Sequence, residues 1–320
     1  MNKITRLLTA AALAIPLGVA ANQGARADGP PLRFVVIPKA VHPWFDKVNN
    51  GAHAAADMLT KMTGRKVEIE YRAPQAADVV EQNNIIERSI STRPDGIIID
   101  LLDDKGNRST LQEALQQKIP VTLFDSVSPA GMNLTSIGND FCQQATIASE
   151  RLVKLMGGKG EVAIMMGVPT APNHAIRARC HQAVFAKNPG IKVVATGIDN
   201  DNIETAQKQA SAIMLAHPNL GGWVACDASG PSGIGQAIKE AGKQGKVIEV
   251  GMDNLTDMLQ LIKDGVADSS SSTKPEMQGY WAVIAAWQAA MGAKTPQTID
   301  TGIAVITKEN LAEYQTAATH

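Results

Sequence analysis

The sequence predicts an α/β protein built as two doubly wound, parallel-sheet lobes. Three observations lead there. Strand-like and helix-like segments alternate almost throughout, which is the signature of βα units feeding a parallel sheet. They fall into two similar rounds of roughly a hundred residues each, an ordinary domain size. Several short apolar strands also end in side chains suited to a ligand. Residues 32–37 run into Lys39 and then His42-Pro43-Trp44-Phe45, 121–124 into Asp125, 224–225 into Asp227, and 247–251 into Asp253. Ligands of open parallel sheets sit in the crevice beyond the carboxyl ends of the strands, so four such ends predict a pocket.

The elements follow in order. A first strand over 33–38 leads to a helix over 44–62, stopped by Gly64. Then come strand 67–71, helix 76–91, and strand 96–100, delivered by the turn residues Pro94-Asp95-Gly96. Helix 107–117 and strand 120–124 complete the first round. The second round opens at Asn139-Asp140, with Asp140 as N-cap of a helix that reaches Met156 and ends at Gly157-Gly158. It continues with strand 161–166, helix 173–187, strand 191–196, helix 202–216, strand 222–226, helix 232–242 and strand 246–251. A helix over 275–291 and a strand over 302–306 are expected to cross back between the lobes. The polar run from Asp268 to Thr273 lies between a strand signal at Val266 and a helix started by Pro275, and reads as a short crossover or hinge.

The amino-terminal segment predicts export. Lys3 and Arg6 give a basic start, residues 7–21 an apolar run too short and alanine-rich for a membrane span, and Ala25-Arg26-Ala27 a cleavage site. Cleavage after Ala27 starts the mature chain at Asp28, with no nearby cysteine to take a lipid anchor. No later segment approaches the ~20 apolar residues of a transmembrane helix. Losing Lys3, Arg6 and Arg26 moves the formal net charge from -1 to -4. A mildly acidic chain without a basic stripe argues against a nucleic-acid partner. Cys142, Cys180 and Cys226 match no zinc or C-x-x-C spacing. One disulfide with an odd thiol and three buried thiols both remain open.

Candidate chemistry gathers at the strand ends. Trp44 and Phe45 can lie against the C–H face of a sugar-like ring or staple the helix entry, and His42 is a hydrogen-bonding ligand contact. Arg177 carries a fixed fork of donors suited to vicinal hydroxyls or a carboxylate. Asp125, Asp227 and Asp253 only accept, which suits hydroxyl donors; the bland role for each is helix capping, with Asp253, just before Asn254-Leu255, the best capping candidate. So many acids repel one another unless Lys39, Arg177 or a cationic ligand offsets them. No H-E-x-x-H, G-x-S-x-G, Walker A or G-x-G-x-x-G motif occurs, the six histidines lack metal-ligand spacing, and Ser232-Gly233-Ile234-Gly235 is only a glycine-bearing helix start. Trp281 and Trp287 are expected in the core. These features point to binding without turnover, metal or cofactor.

The order and spacing of Pro94-Asp95-Gly96-Ile97-Ile98-Ile99, Ile119-Pro120-Val121, Asp125, Arg177, Ala216-His217-Pro218, Asp227-Ala228, Gly251-Met252-Asp253 and the run from Gly302 to Asn310 resemble the ribose-binding type of periplasmic sugar-binding proteins, the type I receptors of ABC importers. The resemblance spans the mature chain. It implies two lobes joined by three hinge crossovers, near Asn139, Thr273-Lys274 and Thr301. The amino-terminal lobe would comprise residues 28–139 plus 274–301, and the carboxy-terminal lobe 140–273 plus 302–320. By position it implies ligand contacts from His42, Trp44, Phe45, Asp125, Arg177, Asp227, Asp253 and Thr273. Ser126 stands where that type has arginine, Asp227 and His42 where it has asparagine, and no aromatic occurs near Asp201; these departures argue against ribose itself. Ile37-Pro38-Lys39 and Asp227-Ala228 also resemble the autoinducer-2 receptors, where the lysine is a contact, although their glycine-rich first loop is absent and Asn173-His174 matches their second-lobe pair poorly.

The sequence therefore predicts a periplasmic, monomeric, non-enzymatic receptor that closes two lobes over a small monosaccharide or polyol and delivers it to ABC importer permease subunits. A chemoreceptor stands open as a further partner. An autoinducer-2-like receptor and a receptor for a small cationic solute are the alternatives, and a hydrolase using His42 or a cysteine is the remotest.

Overall fold

The computed structural model describes residues 29–315, so the export signal and its cleavage site lie outside the described residues. The first half of the chain forms β1 (Leu32–Ile37), α1 (Pro43–Thr63), β2 (Val67–Tyr71), α2 (Val79–Ser91), β3 (Gly96–Ile99), α3 (Arg108–Gln116), β4 (Val121–Phe124) and β5 (Thr135–Gly138). Next come α4 (Phe141–Leu155), β6 (Gly160–Met166), α5 (Pro172–Ala186), β7 (Ile191–Ile198), α6 (Ile203–Ala216) and β8 (Leu220–Ala225). The chain continues through α7 (Ser229–Glu240), β9 (Ile248–Met252), α8 (Thr256–Lys263), β10 (Ser269–Ser272), α9 (Pro275–Ala290), β11 (Thr298–Asp300), β12 (Ala304–Thr307) and α10 (Leu311–Gln315).

These strands make two six-stranded sheets, ordered β2-β1-β3-β4-β5-β11 and β7-β6-β8-β9-β10-β12. Every pairing is parallel except that of β12 with β10. Each sheet is the centre of one lobe, and the chain passes between them after β5, after β10 and after β11.

Parallel strands covered on both faces read as unbroken apolar runs, and β1 and β3 do so. Phe34, Val36 and Ile98 pack with residues of α1 such as Val48 and Ala52, while Val35, Ile37, Ile97 and Ile99 face Ile85, Ile86 and Leu111 of α2 and α3. The second sheet repeats the arrangement: Val162, Ile164 and Val224 pack with Ala148 and Leu152 of α4, and Ala163, Met165 and Trp223 share a cluster with residues of α6, α7 and α8. Each such fully buried apolar side chain is worth about 1.5–3 kcal/mol.

α9 lies across α1 in the first lobe at close range. A β-carbon on Gly51 would sit 1.9 Å from the Glu276 carbonyl oxygen, and one on Gly279 would sit 1.9 Å from that of Val48. The two glycines let the helix backbones touch. Trp281, on the same helix, is 37% exposed, contrary to its expected core position, while Trp287 is half-buried.

Cys142 and Cys180 form a disulfide between α4 and α5, with Cα atoms 5.4 Å apart, and Cys226 is a buried free thiol. The polar run over 268–273, expected to be a crossover or hinge, is mostly strand. β10 is Ser269 to Ser272, buried between β9 and β12. Three of its four hydroxyls find partners: Ser269 donates to Asp268, Ser270 to the Asp253 carbonyl and Ser272 to that of Thr273. Composition alone read as loop. β5, α8 and β11 likewise had no counterpart in the sequence reading, being short and, in the strands, polar.

Candidate ligand site

The carboxyl ends of both sheets face one cavity of about 20 Å³. Lys39, His42, Trp44, Phe45 and Asp125 line it from the first lobe, and His174, Arg177, Asp201, Asp227, Ala228 and Asp253 from the second. That volume is room for about one water, so the two lobes stand closed on each other around the converging side chains. A larger hollow of about 340 Å³ lies at the opposite end of the second sheet, lined by groups such as Arg151 and Lys308. The strand-end cavity carries the chemistry because its polar groups are buried and converge.

Local backbone geometry aims several of these groups. Asp125, Asp201 and Asp253 have φ of 42°, 57° and 64°, in the left-handed region. Non-glycine residues held there cost of order 1–3 kcal/mol each and gather at functional sites. His42 is the N-cap of α1: its Nδ1 accepts the Trp44 N–H at 3.1 Å, with Pro43 at the first helical position. The proton therefore sits on Nε2, which has no partner among the described residues. Burial lowers the His42 pKa, keeping the ring neutral. Gly167, following β6, leaves room for the second-lobe groups, because a β-carbon there would lie 2.5 Å from His174 Nδ1 and 2.9 Å from Asp227 Cβ.

The cavity's cations are tied to acids. Lys39 Nζ donates to Asp100 at 2.7 Å and lies 3.9 Å from Asp125. Burial pulls the Lys39 pKa down, but Asp100, Asp201 and Asp125 outweigh it and the net direction is up. Burial pushes Asp100 up, opposed by Lys39. Arg177 donates from Nε to Gln144 at 2.9 Å, from Nη1 to the Cys226 carbonyl at 3.2 Å and from Nη2 to Asp125 at 3.2 Å, over the ring of Phe141. Three of its five N–H groups are thereby engaged. Asn173 also donates to Asp125, at 2.6 Å, so this first-lobe carboxylate is gripped by two side chains of the second lobe.

The aspartates reverse the expected capping roles. Asp253 is not the cap of α8, whose N-cap is Leu255; it accepts from the backbone N–H and hydroxyl of Thr273. Asp227 is the one that accepts helix-start N–H groups, from Ser229 at 3.1 Å and Gly230 at 3.3 Å. Thr273 does not line the cavity. It stands behind it, accepting the Trp44 indole N–H at 3.0 Å and joining Trp44 to Asp253 across the lobes. The other eight expected site residues, Lys39 to Asp253, all line the cavity.

Sequence reasoning missed Asp100, Asn173, His174, Asp199 and Asp201 as members of the site. Asp100 and Asp199 were within reach, since each directly follows an apolar strand like the aspartates that were found. Asp199, Asp201 and Asp227 form one acidic cluster, in which burial pushes Asp201 up but His174, Lys39 and His42 hold it below its ordinary pKa. Burial, with Asp201 adding to it, pushes Asp199 up to about 8; burial and the same neighbours raise Asp227 well above the carboxylate range. The buried His181 is neutral, pushed down to about 4 by burial, and is held between Ser149 and the Ala225 carbonyl.

Known proteins share this plan. The chain is 25% identical over 266 residues to a xylose/arabinose-binding protein of Sulfolobus acidocaldarius, covering 78% of this chain and 65% of that one. It is 24% identical over 268 residues to a D-apiose import binding protein of Actinobacillus succinogenes, covering 83% and 82%. Among solved structures, an ABC transporter solute binding protein of Burkholderia graminis in complex with D-arabinose superposes with a TM-score of 0.82 at 32% identity, over 88% of this chain and 97% of the other. Residues 33–294 match the periplasmic binding protein domain, and with its two parallel-sheet lobes meeting over a strand-end cavity the chain belongs to that family.

Proposed function

We propose that the protein is an exported receptor of an ABC importer that captures a single monosaccharide or polyol between its two lobes, without turning it over. The carrying observation is the convergence of eleven residues from both lobes on one cavity, with an aromatic pair on one side and hydrogen-bonding groups around it. Trp44 and Phe45, edge to face at 5.2 Å, offer apolar surface to the ring, while Arg177, His42 and the aspartates take hydroxyls. The sugar-binding names of the relatives support the same class. The amino-terminal lobe is 28–139 plus 274–301 and the carboxy-terminal lobe 140–273 plus 302–320. Their crossovers act as hinges, because a ligand touching both lobes favours the state in which they meet. The signal is cleaved after Ala27, the mature chain is a periplasmic monomer, and permease subunits receive its closed form.

Thermal denaturation of residues 28–320 against pentoses, hexoses, deoxy-sugars, amino sugars, tetritols and inositols tests this. A ligand at a hundred times its Kd stabilises by about 2.7 kcal/mol, a readily measured shift. Arg177→Ala should abolish the shift while the unliganded protein still melts cooperatively. A panel without any stabilising compound, or an Arg177→Ala protein that binds normally, overturns the reading.

A further inference from the structure

The second-lobe side of the cavity is more acidic than a neutral sugar needs. Asp199 and Asp201 follow β7 and Asp227 follows β8, on either side of β6; Asp201 and Asp227 line the cavity, and Asp199 stands behind them, accepting the Asp201 N–H at 2.9 Å. Among the described residues none of the three is ion-paired. The cavity's two cations are engaged elsewhere, Lys39 with Asp100 at 2.7 Å and Arg177 with Asp125 at 3.2 Å. Oδ2 of Asp199 and Oδ2 of Asp201 have no hydrogen-bond partner, nor does Nε2 of His42, a side chain 94% buried that lines the same cavity. The site therefore holds acceptors in excess beside one spare donor.

Resting on the receptor reading above, we propose that the ligand is an amino sugar or amino polyol whose ammonium docks on Asp201 and Asp227 while its hydroxyls face Arg177 and Trp44. An ammonium has three N–H donors and no acceptor, matching the Asp201 and Asp227 carboxylates, which only accept. A hydroxyl brings one donor and no charge, so it makes fewer and weaker contacts to the two carboxyls. Groups facing the cluster from neighbouring elements are Lys39 and His42 between β1 and α1, and His174 and Arg177 on α5. Burial pushes Asp201 up, but His174, Lys39 and His42 hold it below its ordinary pKa, which leaves Asp227 as the acid without an opposing charge. Burial, Asp199 and Asp201 raise Asp227 well above the carboxylate range, so binding is an exchange in which the ammonium enters and the Asp227 proton leaves to solvent.

The test is isothermal titration calorimetry of residues 28–320 at pH 7 with glucosamine, galactosamine and an amino-inositol. Each is paired with its hydroxyl counterpart and run in phosphate and in Tris, which differ in ionisation enthalpy. The expected result is an amine that binds at least tenfold more tightly than its counterpart and releases protons, with Asp201→Asn losing that preference. Asp201→Asn, whose side chain caps no helix, is paired with a melting curve to show that it folds. Equal or tighter binding of a neutral counterpart, or amine binding without proton release, overturns this inference and leaves the receptor reading intact. Silence from amines and neutral sugars alike overturns both.

Discussion

At His42 the two ring nitrogens carry separate duties: Nδ1 closes the first turn of α1, and Nε2–H is left for the cavity. A capping role and a place on the cavity wall thus coexist in one residue, as they do at Asp227. The carboxyls behind Asp227 give a pH dependence with a definite sign. Asp199 titrates at about 8 in the fold but near 3.9 in an unfolded chain. The folded state binds the extra proton, so this contribution is fully present below about pH 4 and is lost as pH rises through 8. The unliganded protein should melt at lower temperature at pH 8.5 than at pH 6, and Asp199→Asn should flatten that difference; a slope unchanged in the variant would remove Asp199 as its source. Residues such as Asp125 and Arg177 were legible because the strand-end rule singles out positions. The partner of each was not, since which strand ends face one another depends on sheet order.

Among the elements, the long apolar strands and amphipathic helices were legible to within a few residues, from α1 through β9. β10 shows why the rest was not. Four buried serines have no hydrophobic pattern, and what makes them a strand is pairing to β9 and β12 on either side. β5 and β11, likewise short and polar, exist by pairing with each other and with β4. The α1–α9 contact was hidden for a related reason, because a glycine within a helix signals close approach only once its neighbour is known. Gly279→Ala should drive a methyl group into the Val48 carbonyl. Overpacking of this kind costs about 1–3 kcal/mol, to be read from the denaturant midpoint. A variant of undiminished stability would mean that the helices can slide apart freely.

For the whole molecule, the lobes meet around the cavity through more than ligand-binding groups. Leu102 beyond β3 packs with Val168 and Ala171 of the second lobe, supported by Ala77 and Val79. The Thr170 hydroxyl donates to the Leu102 carbonyl at 2.9 Å, and Lys47 donates to the Asn254 carbonyl at 3.0 Å. These contacts stabilise closure without touching ligand, and so set how much of the binding energy remains for affinity. Since a fully buried leucine side chain contributes about 1.5–3 kcal/mol, Leu102→Ala should weaken ligand affinity by about ten- to a hundredfold. The scattering radius of the unliganded protein should increase with little change in lobe stability. Unchanged affinity and radius would show that the apolar contact does not govern closure.

The disulfide between Cys142 and Cys180 lies wholly within the second lobe and joins the two cysteines that come first along the chain. Chains leave the ribosome amino-terminus first, and a secreted chain enters its oxidising compartment in the same direction. Cys142 and Cys180 can therefore meet while Cys226 is still behind them in the queue. The order of arrival favours the native pair over either mispairing, and when the late thiol comes through it is folded away beneath Asp227 with no free partner left to exchange with.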